Sequence, residues 1–225
     1  MRKLLVSALV AASAIASPAS AATTIFSEGF ENVPNGSGGT IGSSGSGFTF
    51  VNSAGQWRAG PGANRGIELQ WGGVGGAPAT NGGRVFVELD TNGNSSMFYQ
   101  LASSGVFTLD FLFSPRPNVS RLSNIVELWL DNQLLGSFTG PTSGTNPSTV
   151  WTQQSVGFTG FAGQNLIFRA AGTGDSLGGY IDNTTLTLQS AVPEPGTWML
   201  MILGLGAVGF AMRRRQKPAV RFNFA

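Results

Sequence analysis

From Phe107 to Phe113 the chain alternates strictly, with Phe107, Leu109, Phe111 and Phe113 on one side and Thr108, Asp110 and Leu112 on the other. A period of two is that of an extended strand with one face buried. Two further segments repeat it. Val126, Leu128 and Leu130 alternate with Glu127, Trp129 and Asp131, and Val85, Val87 and Leu89 alternate with Arg84, Phe86, Glu88 and Asp90. Shorter runs at 25–30, 47–51, 67–70, 97–101, 134–139, 151–158, 164–170 and 179–189, separated by breaks containing Gly, Asn or Pro, are predicted as further strands. In the last run the apolar parity slips, because Ile181 is odd whereas Leu186 and Leu188 are even. A bulge near Asn183 would restore a single inward face. Asp131-Asn132-Gln133 reads as a hairpin tip, since Asp and Asn tolerate left-handed backbone. Residues 34–47 are mostly Gly, Ser and Asn and are expected to form a mobile loop. With no convincing amphipathic helix, the pattern predicts an all-β fold: a single antiparallel jelly-roll or β-sandwich domain over 22–191.

The two ends differ from this middle. Arg2 and Lys3 precede an apolar run, Leu4 to Val10, and small residues ending Ala19-Ser20-Ala21. That order predicts a signal peptide over 1–21, removed by signal peptidase before Ala22. At Val192-Pro193-Glu194-Pro195 two prolines mark a linker. Trp198 to Met212 then carries no charge and ends at Arg213, Arg214 and Arg215. As a helix it would span about 22 Å against a hydrocarbon core of ~30 Å, a gap that bilayer thinning, snorkelling arginines and an interfacial Trp198 close. The expectation is a transient inner-membrane anchor over 198–212 with its arginines on the cytoplasmic side, followed by a short tail at 218–225.

Pro193, Glu194 and Pro195, then Trp198, the apolar stretch with Gly204, Gly206 and Gly209, and the cluster Arg213, Arg214 and Arg215 together resemble the PEP-CTERM sorting signal, here covering 192–217. The likeness is to the variant with Trp three positions after the second Pro, although Met199 stands where that variant usually has Ala. The resemblance implies processing by an exosortase of a Gram-negative bacterium, cleavage near the Pro-Glu-Pro motif, delivery to the cell surface or medium, and association with extracellular polysaccharide and biofilm. Within the middle, the opening Glu28-Gly29-Phe30-Glu31-Asn32 and the Tyr180-Ile181-Asp182-Asn183 start of the last strand resemble the galactose-binding-like jelly rolls of carbohydrate-binding modules. Ile67-Glu68-Leu69, Val87-Glu88-Leu89-Asp90, Ser114-Pro115-Arg116 and Asp175-Ser176-Leu177-Gly178-Gly179-Tyr180 extend the likeness. It implies a structural Ca²⁺ held by Glu31 and Asp182, with loop carbonyls completing the oxygen shell. A solvated sheet edge would place the same two acids equally well.

Composition narrows the chemistry. Among 225 residues there are 33 Gly and 11 Pro, but no Cys and no His. The pI near 9.5 belongs to the ends, because residues 22–192 hold six Arg, no Lys and ten acids, a net of −4. An anionic domain has no footprint for nucleic acid. Without His or Cys, the Ser-His and Cys-His nucleophile pairs and the usual zinc sets are excluded. Gly174-Asp175-Ser176-Leu177-Gly178 spells a Ser-hydrolase block, but Ser176 has no His to act as its base, and the only lysines, Lys3 and Lys217, lie in segments expected to be removed. Paired acids, Glu88 with Asp90 or Glu127 with Asp131, have strand spacings that a glycosidase would accept, and that plain polar alternation also produces. The favoured expectation is a non-catalytic binding face for extracellular polysaccharide, in which Trp129 projects with Glu127 and Asp131, and Phe86 with Glu88 and Asp90. An aromatic ring beside hydrogen-bonding acids suits a sugar. Trp57, Trp71 and Tyr99 are candidate contributors from loops. The same alternation is satisfied by Trp129 and Phe86 packed under a neighbouring loop, by Arg116 paired with an acid, and by a matrix protein that needs no ligand.

Overall fold

A computed structural model describes residues 22–61, 66–73, 83–140, 149–189 and 195–214. Residues 1–21, expected to be a signal peptide, together with Pro193, Glu194, Arg215 and the tail 218–225, lie outside the described residues. The chain divides into two units, one of them Ala22–Ser190. That unit carries β1 (Ala22–Glu28), β2 (Gly47–Val51), β3 (Ser53–Ala54), β4 (Trp57–Ala59), β5 (Ile67–Trp71), β6 (Val85–Glu88), β7 (Ser96–Gln100), β8 (Gly105–Ser114), β9 (Val126–Leu130), β10 (Gln133–Phe138), β11 (Thr152–Gly160), β12 (Asn165–Ala170) and β13 (Tyr180–Gln189). They form two antiparallel sheets packed as a sandwich. One runs β11-β8-β13-β6-β5-β2, with β1 also on β13, and the other runs β10-β9-β12-β7-β4-β3.

Alternation decides which side chains meet between the sheets. Leu109, Phe111 and Phe113 of β8, Val126, Leu128 and Leu130 of β9, and Leu166 and Phe168 of β12 are all buried in one cluster. Aromatic edges lock it, with Phe111 against Phe168 at 4.8 Å and Trp57 against Phe168 at 5.2 Å. Trp57 lies on β4 rather than in a loop. Its ring is fully buried and its Nε1 donates to Thr184 Oγ1 at 2.9 Å. Tyr99, on β7, packs partly buried against Phe26.

The bulge falls where the parity slip demands it. Between Asp182 and Thr185 the pairing of β13 with β8 shifts register, and Asn183 takes a left-handed φ of 48°. This is also where β13 changes partner. Tyr180 and Ile181 pair with β6, whereas Thr184 to Gln189 pair with β1. The hairpin tip is likewise as expected, with Asp131 at φ 49°. The Gly/Ser-rich loop is tethered: Ile41 is buried, its N–H bonds Val33, and Asn35 Oδ1 accepts from the N–H groups of Ser37 and Gly39. Trp71 reaches that loop too, donating its Nε1 to the Ser44 carbonyl.

In the other unit, a helix α1 runs Pro195–Arg214 and takes in Trp198, Arg213 and Arg214. Among the described residues no helix is long and apolar enough to cross a membrane. The membrane span expected at 198–212 is therefore not shown by the structure.

Candidate functional site

The outer face of the seven-stranded sheet carries a buried polar cluster. Ile67 and Leu69 of β5 and Val85 and Val87 of β6 face the core, so the period of two turns Glu68, Gln70, Phe86 and Glu88 the other way. The register sets Glu68 directly opposite Glu88, and Gln70 opposite Phe86. Loops then cover much of this face, and Glu88 and Gln70 are almost wholly buried.

Two of the covering loops hold the acids. Arg116, from Ser114-Pro115-Arg116, brings its Nη1 to Glu88 at 2.7 Å from Oε1 and 2.6 Å from Oε2. The Gly174–Gly178 loop turns its backbone N–H groups inward. Asp90 Oδ2 accepts from Asp175 at 2.9 Å, Ser176 at 3.0 Å and Leu177 at 3.4 Å, and Glu88 Oε1 accepts from Gly178 at 2.5 Å. Gly178 is required there, since a Cβ would stand 2.8 Å from Asp90 Cβ. The G-x-S-x-G block is thus a nest seating two carboxylates, with Ser176 held at a left-handed φ of 66°.

Between the facing acids sits Gln70. Its Nε2 donates one hydrogen to Glu68 Oε1 at 2.8 Å and the other, in a short contact, to Glu88 Oε2. With both amide hydrogens spent, the orientation of the amide is determined and Oε1 is left over. Among the described residues Gln70 Oε1 has no hydrogen-bond partner, nor does the buried Thr91 Oγ1. Both residues line a cavity of about 290 Å³, with Glu68, Arg116, Ser176 and the aromatics Phe48 and Phe50 in the same wall. Phe48 is 57% exposed and meets Phe50 edge-on at 5.8 Å. A larger hollow of about 520 Å³ beside Trp71 is lined by neutral residues of the 34–44 loop and β2, Asn35, Thr40 and Thr49 among them, without a charged group.

Burial pushes the Glu88 carboxyl up to about 8 against the pull of Arg116, and Glu68 opposite adds to the rise. Burial likewise raises Glu68, opposed by its Gln70 hydrogen bond and by Arg116. The two facing acids therefore hold a proton well above the ordinary carboxylate range, as a coupled pair. For bond cleavage they are badly placed. The Gln70 amide fills the space between them, where a sugar's anomeric carbon would have to enter.

The residues expected to share one binding face are divided between the two sheets. Phe86 is not exposed: it is wholly buried between Tyr180 at 4.8 Å and Trp151 at 5.8 Å, because the covering loop packs on the face that alternation had turned outward. Glu88 and Asp90 are buried with it, Glu88 taken up by Arg116 and the Gly178 N–H and Asp90 Oδ2 by three backbone N–H groups, while Asp90 Oδ1 has no hydrogen-bond partner among the described residues. Trp129 and Glu127 lie on the outer face of the other sheet, half-buried. There Trp129 Nε1 donates to Glu127 Oε2 at 2.8 Å, and the Arg169 guanidinium lies 4.5 Å from the ring centroid. Asp131 belongs to the hairpin tip and accepts from the Asn165 N–H at 2.9 Å, which makes it a turn residue rather than a face residue.

The two acids expected at a calcium site are each engaged by backbone N–H groups through one oxygen. Glu31 Oε1 already accepts from the N–H groups of Arg84 at 2.6 Å and Val85 at 2.8 Å, and Asp182 Oδ1 from that of Asn183 at 2.7 Å. Among the described residues no group of three or more acids could hold a metal.

At the C-terminal side, the Pro-Glu-Pro linker, helix α1 and arginine cluster fall in one 25-residue block. Residues 191–215 match the PEP-CTERM protein-sorting motif. A chain with this sorting motif is exported and sorted to the surface. No curated protein matches the chain. Among solved structures, it is similar to the K3 adhesin domain of Lys-gingipain from Porphyromonas gingivalis W83, at 14% identity over 73% of this chain and 98% of that one, with a TM-score of 0.47. It is also similar to the Stig cyclase Fisc from Fischerella sp. TAU, at 16% identity over 76% and 100%, TM-score 0.46. A third is the CBM22-1 xylan-binding domain of Paenibacillus barcinonensis Xyn10C, at 13% over 78% and 100%, TM-score 0.41. An adhesin, a cyclase and a xylan binder do different things, so the likeness assigns no activity here.

Proposed function

We propose that this protein is an exosortase-processed, non-catalytic surface protein that holds extracellular polysaccharide in the cavity walled by Phe48, Glu68, Gln70, Thr91 and Arg116. The sorting motif supports delivery to the polymer-rich exterior, with signal peptidase and a transient stay of α1 in the inner membrane as the expected route. One observation carries the choice of site: Glu68, Gln70, Thr91 and Arg116 line one cavity together with the exposed ring of Phe48. The apolar face of a sugar would lie on Phe48 while its hydroxyls reach Gln70, Thr91 and Arg116. The Trp129 face is the weaker site, since Arg169 covers its ring and Glu127 takes its N–H.

Affinity electrophoresis of the full-length protein in gels containing the producer's own exopolysaccharide tests this. Retardation of wild type that Phe48→Ala abolishes and Trp129→Ala leaves intact is the expected result. No retardation, or retardation lost only with Trp129→Ala, contradicts the site.

A further inference from the structure

We infer that β11 is an interaction strand, pairing edge to edge and antiparallel with β11 of a second copy of this chain. β11 ends the seven-stranded sheet, with β8 on one side and, among the described residues, no strand on the other. Every second residue of such a strand turns its N–H and C=O outward, a row of donors and acceptors that a further strand can take up. The nine residues keep step with β8 from Thr152 opposite Phe113 to Gly160 opposite Gly105, without a bulge. None of them is charged and none is Pro. The other outer strands differ. β2 has five residues and β3 has two, while β10 and β1 break register between Leu134 and Gly136 and between Thr24 and Phe26. Shortness, bulges, charge and Pro are the usual means of keeping an edge from pairing, and β11 uses none of them.

The choice of a second copy comes from what the strand carries. Gln154, Val156 and Phe158 turn toward the core, and Gln153, Ser155, Gly157 and Thr159 toward solvent. An antiparallel register centred on Val156 sets Val156 opposite its own copy, Ser155 opposite Gly157, Gln153 opposite Thr159 and Gln154 opposite Phe158. Core-side positions then meet core-side positions, so the seam keeps both sandwiches' faces, and an uncharged strand opposes no like charges. Exposed apolar residues at the two ends complete the fit. Val150, 50% exposed, precedes β11, and Phe161, 64% exposed, follows it. Antiparallel pairing lays the Val150 end of each copy beside the Phe161 end of the other, which takes from water apolar surface that a lone copy leaves in it. A foreign strand would have to supply that match itself.

Sedimentation velocity of the full-length protein over a concentration series, in a non-ionic detergent that covers α1, reads the association. Wild type should pass from monomer to dimer and no further, because a two-fold edge pairing is closed. Gly157 is exposed, and a Cβ there meets nothing nearer than 3.9 Å, so Gly157→Lys and Gly157→Glu should fold and melt as wild type does. Each sets like charges diagonally across the seam. Alone, each variant should dimerise at least about tenfold more weakly, and an equimolar mixture of the two should recover the affinity, which misfolded chains could not do. Single cysteines read the register, since the chain has none of its own. Oxidised Val156→Cys should give a disulfide-linked dimer, its Cα atoms lying directly opposite within the reach of a disulfide. Gln153→Cys, roughly six residues along the seam from its counterpart, should not. A wild type that stays monomeric throughout, dimers that persist undiminished in Gly157→Lys, a mixture that fails to recover, or equal cross-linking of the two cysteine variants would each overturn the inference.

Discussion

Glu88 makes the stability of this protein fall as the pH rises toward mildly alkaline values. The carboxyl is almost wholly buried, and burial lifts it from 4.5 to about 8 in the folded chain. In the unfolded chain it titrates near 4.5, so between those values the folded state binds more protons and stability declines with each step upward. The stabilisation is complete below pH 4.5 and is lost as the pH passes 8. At about 1.4 kcal/mol per unit, the full swing is about 5 kcal/mol, a large share of the ~5–15 kcal/mol typical of a domain. For a domain of this size that corresponds to a melting shift of roughly 10–20 °C. Glu68, raised by the same burial, adds in the same direction. The assay is thermal unfolding by circular dichroism from pH 5 to 9, on wild type and Glu88→Gln. Wild type should melt progressively lower across that range, and Glu88→Gln should flatten the curve. A wild-type melting point that holds or rises with pH, or an equal fall in Glu88→Gln, would refute the reasoning.

Other perturbations test the elements that position the cavity. Asp90→Ala strips the acceptor from three consecutive N–H groups of the 174–178 loop and should cost about 3 kcal/mol or more in denaturant unfolding. A loss under 1 kcal/mol would mean that the loop is held by something else. Asn183 sits at φ 48°, so Asn183→Ala should cost about 1–2 kcal/mol while Asn183→Gly is nearly neutral; equal losses would deny that the bulge conformation matters. Because the Glu31 and Asp182 oxygens are already met by N–H groups, a chelator should leave the melting point unchanged. A clear drop with chelator, restored by added calcium, would show that a cation does bind there.

Much of this architecture could be read along the chain, and for a simple reason. Strands β8, β9 and β13 bury one face each, so their alternation survives in the residues, and even the bulge at Asn183 shows as a change of parity. The short strands β3 and β4 escaped notice because two or three residues cannot display a period, and Trp57, though wholly buried, looked like a loop aromatic. The site was harder. Alternation correctly turned Phe86 and Glu88 away from the core, but a polar-side position is not necessarily an exposed one, and what covers it comes from residues 28 to 90 positions distant, Arg116, Trp151 and Gly178. Glu68 and Gln70 had the right parity to join Glu88. Only the pairing of β5 with β6 shows that they share one spot, and register between strands leaves no trace in either strand alone. Trp129 failed as a landmark for a related reason: its cross-strand neighbourhood, with Arg169 over the ring, belongs to β12. The Gly-Asp-Ser-Leu block did carry meaning, as a loop whose N–H groups seat Asp90 and Glu88.

The central claim, that polysaccharide is held over the seven-stranded sheet, is tested most directly by isotope-edited NMR of the full-length protein titrated with oligosaccharides cut from the producer's own polymer. Saturable shifts should gather at Phe48, Gln70, Thr91 and Arg116 and spare Trp129, Ile167 and Phe98 on the opposite sheet. Shifts centred on Trp129, or none anywhere at saturating sugar, would contradict it.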